Sequence, residues 1–415
     1  MTDPIAGNGL LPRRAFLGAL GAATAGGIVT PVFATSGLPA PRMPGPPPSG
    51  RGEPAPEARL ERENPSGHPY GPAAGASSTP LQSLNGTLTP NALHFERHHS
   101  GIPALDAASH RITVHGDVAR ALEFDLEALL RYPMVTRTLF LECSGNSYRN
   151  TLPEALDLTA GALNGLISTA EWTGVPLHVL LDEAGVDASL AETGWVIAEG
   201  ADASANNRSL PMPLALDGAM IALYQNGEPL RPAQGYPARL LVPGCEGNLS
   251  IKWLRSLRVQ PTAAWTREET SKYTDLLPDG RAHAFSLRMG VKSVITRPSG
   301  TMLLPERGIY EVTGIAWSGH GAVRRVEVSA DGGASWAEAE LQSEPGPLRP
   351  TRFRIPWRWN GGPAVLQSRA IDDRGHVQPS RAEALARYSP AGFYHYNGLQ
   401  SWAVDETGRV RNVHV

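Results

Sequence analysis

Two stretches early in the chain alternate apolar and polar residues: HRITVHGDV (110–118) and VTRTLFLEC (135–143). A period of two buries one face and leaves the other to solvent, so both read as strands. Between them, LEFDLEALLRY (122–132) places Leu126, Leu129 and Leu130 at helical spacing, with Asp125 in front as an N-cap. The segment VPLHVLLDEAGV (175–186) also reads as a helix. A proline-bounded strand, ARLLVPG (238–244), leads into the loop CEGNLSIKW (245–253). After Gln260 the texture changes to short strands punctuated by Pro298-Ser299-Gly300, Asp331-Gly332-Gly333 and Asp373-Arg374-Gly375. The run 310–336 contains alternating strands and a hairpin turn, as an antiparallel β-sandwich requires. The pattern predicts an α+β chain: a mixed domain over 81–265, a polar junction over 266–285 and an all-β domain over 286–415.

The first 80 residues lack this periodicity. Arg13-Arg14 precedes the small-residue apolar stretch AFLGALGAATAGGIVTPVFA (15–34), which ends in a sequence suited to signal-peptidase cleavage after Ala34. The arginine pair followed by Ala-Phe-Leu resembles a twin-arginine signal, the route that exports proteins already folded around a cofactor. Residues 1–34 are therefore expected to be a leader, with the periplasm as destination. Residues 35–80 are rich in Pro, Gly, Ala and charge, and predict an extended segment.

Composition narrows the function. A chain of 415 residues exceeds one core, in keeping with two domains and tails. Thirty-seven Lys+Arg against 40 Asp+Glu leave a net charge of −3 without a long basic run, which argues against a nucleic-acid or anionic-membrane partner. The two cysteines, Cys143 and Cys245, form neither a disulfide framework nor a CxxC or CxxCH motif, so no covalent haem is expected in this chain.

Four clusters carry more chemistry than packing needs. HFERHHSGIP (94–103) combines three histidines with Arg97; a solvated loop and a zinc site are both open from its residues. LFLECSGNSYRN (139–150) ends a strand in Cys143, which reads either as a small buried hydrophobe or as a thiolate ligand lifted toward a cleft. GYPARLLVPGCEGNLSIKW (235–253) brackets a glycine-bearing loop with Arg239 and Lys252, a pattern suited to an anion such as a phosphate or to an ordinary connection. ETSKYTDLLPDGR (269–281) is a polar junction carrying Lys272-Tyr273.

Taken in order, an Arg-x-His loop, Cys-x-Gly-Asn after a strand, Trp-x-Gly-x-x-Leu, Gly-Tyr-Pro-x-Arg…Val-Pro-Gly…Lys-Trp and a β-sandwich resemble the sulfite oxidase family of molybdenum enzymes. The match runs from about residue 81 to the C-terminus. The resemblance implies a molybdopterin-binding domain followed by an immunoglobulin-like dimerisation domain, with molybdenum and molybdopterin as cofactors. On the matching positions it implies Cys143 as molybdenum ligand. It places Phe95, His98, His99, Gln234, Arg239, Ser250, Ile251 and Lys252 at the cofactor. Tyr273 and Arg97 fall at the reacting centre, with Arg149 and Lys272 as further cations. Trp172 and Gly174 also match and read as core residues. A soft thiolate suits a metal that cycles between oxidation states.

This chain departs from the family where its sulfite-oxidising members carry an arginine five residues after the ligand cysteine: the position here is Tyr148, preceded by Ser147. Lys272 stands where an aspartate is usual, and Gln234 where a histidine is usual; the family's C-terminal pocket arginine has no clear counterpart in FYHYNGLQSW (393–402). Redistributed pocket charge argues for a different substrate. Glu-Cys-Ser-Gly-Asn with Glu-Thr-Ser-Lys-Tyr-Thr-Asp-Leu resembles the molybdenum subunits of the sulfane dehydrogenase branch, from the Sox system of thiosulfate oxidation. That likeness implies oxidation of sulfane sulfur on a carrier protein by oxygen-atom transfer. It further implies electrons passed to a separate c-type cytochrome subunit and a homodimer within a hetero-oligomer. The alternatives are a sulfite dehydrogenase using cytochrome c and, more remotely, a non-catalytic exported binding protein.

Overall fold

A computed structural model describes residues 4–12, 75–387 and 394–415. Arg13-Arg14 with its apolar run, most of the Pro/Gly-rich segment, and Phe393 lie outside the described residues. Among the described residues no helix is long and apolar enough to cross a membrane.

The first domain is built on two five-stranded sheets. In one, Val135–Glu142 pairs with Ile167–Pro176, which pairs with Met220–Gln225; Glu228–Pro229 and Arg239–Leu241 both add to the last. The other has the order Leu122–Phe124, Ile112–Gly116, Leu254–Gln260, Trp195–Gly200, Asn207–Pro211. Its middle pair, Ile112–Gly116 with Leu254–Gln260, is parallel, with Thr113 opposite Ser256. The helix Leu177–Ala184 buries Leu177, Leu180, Leu181 and Ala184, the face its spacing predicts.

The strands read at 110–118 and 135–143 lie where alternation places them, and the proline-bounded run 238–244 contains a shorter strand, Arg239–Leu241. The segment 122–132 divides: Leu122–Phe124 pairs with Ile112–Gly116, and only Leu126–Leu130 is helical. Asp125 caps that helix by accepting from the Ala128 amide at 2.7 Å. The polar junction is also more ordered than its composition implies. Thr266 and Glu269 form a capping box on the helix Arg267–Ser271, and Asp275–Leu276 pairs with Ala282–His283. Folded structure also begins before residue 81, because Gly75–Ser77 pairs with Glu96–His98.

The second domain is two packed antiparallel sheets, as the strand spacing predicts. Lys292–Arg297, Gly308–Trp317, Thr351–Trp359 and Glu340–Leu341 form one; the other contains Ala337–Glu338, Val323–Ser329, Ala364–Asp372, Ser401–Val404 and Val410–Val413. Trp317, Trp357 and Trp402 fill the space between, each fully buried. Residues near the start of the chain pack onto this domain. Leu10 and Leu11 are fully buried, Leu11 donates its amide to Pro356 O at 2.9 Å, and Trp357 Nε1 donates to Asn8 O at 2.7 Å.

Candidate active site

Segments far apart in sequence converge on one cavity in the first domain. The paired strands Gly75–Ser77 and Glu96–His98 bring Phe95, Arg97, His98 and His99 to it. The strand Val135–Glu142 delivers Cys143, whose amide donates to Leu166 O at 2.9 Å. The loop after Arg239–Leu241 supplies Asn248, Ser250, Lys252 and Trp253. Tyr273 enters from the turn that follows Arg267–Ser271.

Burial raises the pKa of the Cys143 thiol, and Arg97 opposes that rise. A thiol in this position ionises when a strong cation takes its proton's place. The Tyr273 hydroxyl is hydrogen-bonded to His99 Nε2 at 2.9 Å. Burial, then the neighbouring Cys143, hold its pKa well above the usual value, so it stands as a proton-bearing donor. Its ring is framed by the Arg208 guanidinium at 5.0 Å and by the Tyr394 ring at 5.2 Å.

A cation pair occupies another wall. Arg239 donates to Gln234 O at 3.1 Å and Ser250 O at 2.8 Å while its charge lies 5.4 Å from the Trp172 ring centre. Burial lowers its pKa to about 9. Lys252 donates to Arg97 O at 2.8 Å and Ala233 O at 3.0 Å; burial, then Arg239, lower it to about 7. The hydrogen bonds of both cations go to neutral carbonyls rather than to carboxylates.

The residues 99–267 match the family model of the oxidoreductase molybdopterin binding domain, and 284–388 match the Mo-co oxidoreductase dimerisation domain. Mitochondrial sulfite oxidase of Mus musculus is 32% identical over 73% of this chain and 59% of its own length. Sulfite oxidase of Gallus gallus is 33% identical over 70% of this chain and 68% of its own. The chain belongs to the sulfite oxidase family of molybdopterin oxidoreductases. Among solved structures, the sulfane dehydrogenase SoxCD from Paracoccus pantotrophus superposes with a TM-score of 0.81 and 43% identity, covering 86% of this chain and 91% of that one. The chain spans 59% of the length of the mouse relative.

The cavity of this sulfite oxidase family member fits molybdenum and molybdopterin. The cofactor's phosphate needs cations, and Arg239 and Lys252 are desolvated cations awaiting an anion. Arg239 Nε is buried without a hydrogen-bond partner, a donor left for a ligand. The metal needs a soft donor, and Cys143 faces the same cavity.

Of the residues that the sequence resemblance assigns, Phe95, Arg97, His98, His99, Cys143, Gln234, Arg239, Ser250, Lys252 and Tyr273 line this one cavity. Gln234 Nε2 donates to Phe95 O at 2.8 Å, so it braces the wall as well. Ile251 is turned into the domain core, and Trp172 is fully buried beneath Arg239. Arg149 and Lys272 are not among the lining residues. Arg149 donates to Ala162 O at 2.7 Å and rests on its neighbour Tyr148; Lys272 pairs with Glu268 at 3.1 Å. Ser147, the residue before the substituted position Tyr148, is buried and donates to Asn164 Oδ1 at 2.6 Å. The sequence reading missed Arg208, Tyr394, Asn206 and Asn248. Arg208 stood out as a lone cation inside the strand Asn207–Pro211, and Asn248 lay in a loop already singled out.

Proposed function

We propose that this protein is a molybdenum-dependent dehydrogenase of sulfane sulfur bound to a carrier protein, passing electrons to a c-type cytochrome subunit. The observation that carries this reading is the convergence of Cys143, Tyr273 with His99, Arg97 and the Arg239/Lys252 pair on one cavity. The molybdenum group, when bound, supplies oxygen-atom transfer to sulfur and a store for two electrons. The chain's own residues bind and orient it. Arg239 and Lys252 hold its anionic end, Cys143 offers the thiolate, Tyr273 keeps a proton beside the reacting centre, and Arg97 stabilises charge developing on sulfur-bound oxygen.

Two observations favour sulfane over free sulfite. The position five residues after Cys143 is Tyr148, and neither it nor Ser147 lines the cavity. The likeness to the Paracoccus sulfane dehydrogenase, at 43% identity, covers both domains of the described chain. Its second domain supports a homodimer, placed within a hetero-oligomer with the cytochrome. Arg13-Arg14 and the apolar run behind it support twin-arginine export to the periplasm.

The decisive assay supplies cytochrome c and compares a persulfidated carrier protein with free sulfite. The proposal expects the carrier protein to give the higher kcat/KM. A higher kcat/KM for sulfite would assign a sulfite dehydrogenase instead, and zinc in place of molybdenum by elemental analysis would remove both.

A further inference from the structure

The residues around Cys143 are fixed by a cation that comes from the other domain. Lys292 opens the strand Lys292–Arg297 of the C-terminal sandwich and is 1% exposed. Its ammonium donates to Ser147 Oγ at 2.6 Å, to Tyr396 O at 3.0 Å and to Glu142 Oε1 at 3.4 Å. Those contacts use all three donors of a lysine ammonium. Glu142 immediately precedes Cys143, and Ser147 lies four residues after it.

Each end of the turn is held a second time. Trp317, also of the C-terminal domain, donates its indole N–H to Glu142 Oε2 at 2.6 Å, and Asn146 Nδ2 donates to Glu142 Oε1 at 2.8 Å. Ser147 sits at φ 68°, a left-handed conformation that a non-glycine residue holds only when its surroundings fix it. The Ser147 hydroxyl is the group that joins Lys292 to Asn164 Oδ1. The amide of His395 donates to Ser144 O at 2.7 Å, a third tie between the turn and the C-terminal segment.

A buried charge pair is a poor source of net stability, since desolvation offsets much of the attraction. What this one does supply is geometry: one ammonium ties Glu142 to Ser147, and Cys143 lies between those two residues in the chain. We propose that Lys292 is a positioning residue for the Cys143 sulfur, acting from the C-terminal domain through Glu142 and Ser147. The inference rests on the reading of Cys143 as the molybdenum ligand.

The test uses the full chain with Lys292→Met, Lys292→Arg and Ser147→Ala. The first readout needs no metal: the rate at which iodoacetamide alkylates Cys143 in cofactor-free protein, with buried Cys245 as internal reference. Lys292→Met is expected to raise that rate at least tenfold, Ser147→Ala by a smaller factor, and Lys292→Arg to restore most of the protection. In loaded protein, Lys292→Met is expected to change the Mo(V) electron paramagnetic resonance spectrum and to lower kcat with little change in KM. Folded Lys292→Met protein with the native alkylation rate and spectrum overturns the proposal. Should Lys292→Met not fold, Ser147→Ala decides by the same two measurements. A Cys143→Ser protein that retains native turnover would remove the ligand reading, whereas the alkylation rates judge the clamp alone.

Discussion

At Cys143 the physical question is how a buried thiol becomes a ligand. Its pKa is raised by burial, so the thiolate forms only in exchange for a cation, and oxygen is a much harder donor than sulfur. Cys143→Ser is therefore expected to leave a folded chain whose kcat falls by more than about 100-fold, beyond the 10–100-fold typical of outer-shell changes at metal sites. Steady-state turnover beside a circular dichroism spectrum checks it. A second residue-scale prediction concerns Lys252 and Arg239, held down at about 7 and about 9 by burial. Between those values and the ordinary ones, the unfolded chain carries more protons than the empty folded one. Through this pair, the cofactor-free protein gains stability as pH rises from about 7 toward the ordinary lysine value of about 10.4. An anion in the pocket restores the protonated forms and cancels the gain. Pyrophosphate is thus expected to raise the melting temperature more at pH 6.5 than at pH 9, as a thermal-shift series would show.

At the scale of elements, the cavity depends on the loop after Arg239–Leu241 lying against the end of the strand that carries Cys143. Glu142 and Glu246 form a parallel bridge there, and a Cβ on Gly247 would meet Glu142 O at 2.7 Å. Because the obstacle is backbone, neither partner can rotate away. Gly247→Ala is expected to cost about 1–3 kcal/mol, the usual range for overpacking, and to lower molybdopterin content. Denaturant unfolding and fluorescence of the released pterin measure the two effects. Most of these elements were legible in the sequence. Alternation located Ile112–Gly116 and Val135–Glu142, and the helical spacing of 175–186 located Leu177–Ala184. Gly75–Ser77 was not legible, because three residues of Gly-Ala-Ser have no periodicity and are a strand only by pairing with Glu96–His98. The helix Arg267–Ser271 was hidden for a different reason. Its core-facing residues are Glu268 and Glu269, buried carboxylates paired with Arg267, Lys272 and Arg208, and no hydrophobic pattern marks them.

Across the whole molecule, the C-terminal sandwich also reaches residues far away in sequence. Leu10 belongs to its core, and Gly9 at φ 95° lies so close to Arg358 O that a Cβ would meet it at 2.1 Å. Leu10→Ala is expected to remove roughly 2–5 kcal/mol of docking in the uncleaved chain, the range for a buried leucine. Faster proteolysis within residues 4–12 and faster exchange of the Trp357 indole proton would register it. If the leader is removed after Ala34, as proposed, this contact belongs to the precursor alone.

By itself the sequence determined the two-domain order, the principal strands and helices, and the identity of most cavity residues, because periodicity and motif order are properties of a linear chain. It could not determine which cations face the cavity. Arg149 and Lys272 lie as near in sequence to Cys143 and Tyr273 as any cation, yet each turns to a different partner, Ala162 and Glu268. Nor could it bring Arg208 and Tyr394 to the Tyr273 ring, or join Lys292 to Glu142 across 150 residues. Those choices were decided by folding, within the first domain for Arg149, Lys272 and Arg208 and between the two domains for Tyr394 and Lys292, because a buried charge takes the partner that the fold places within reach.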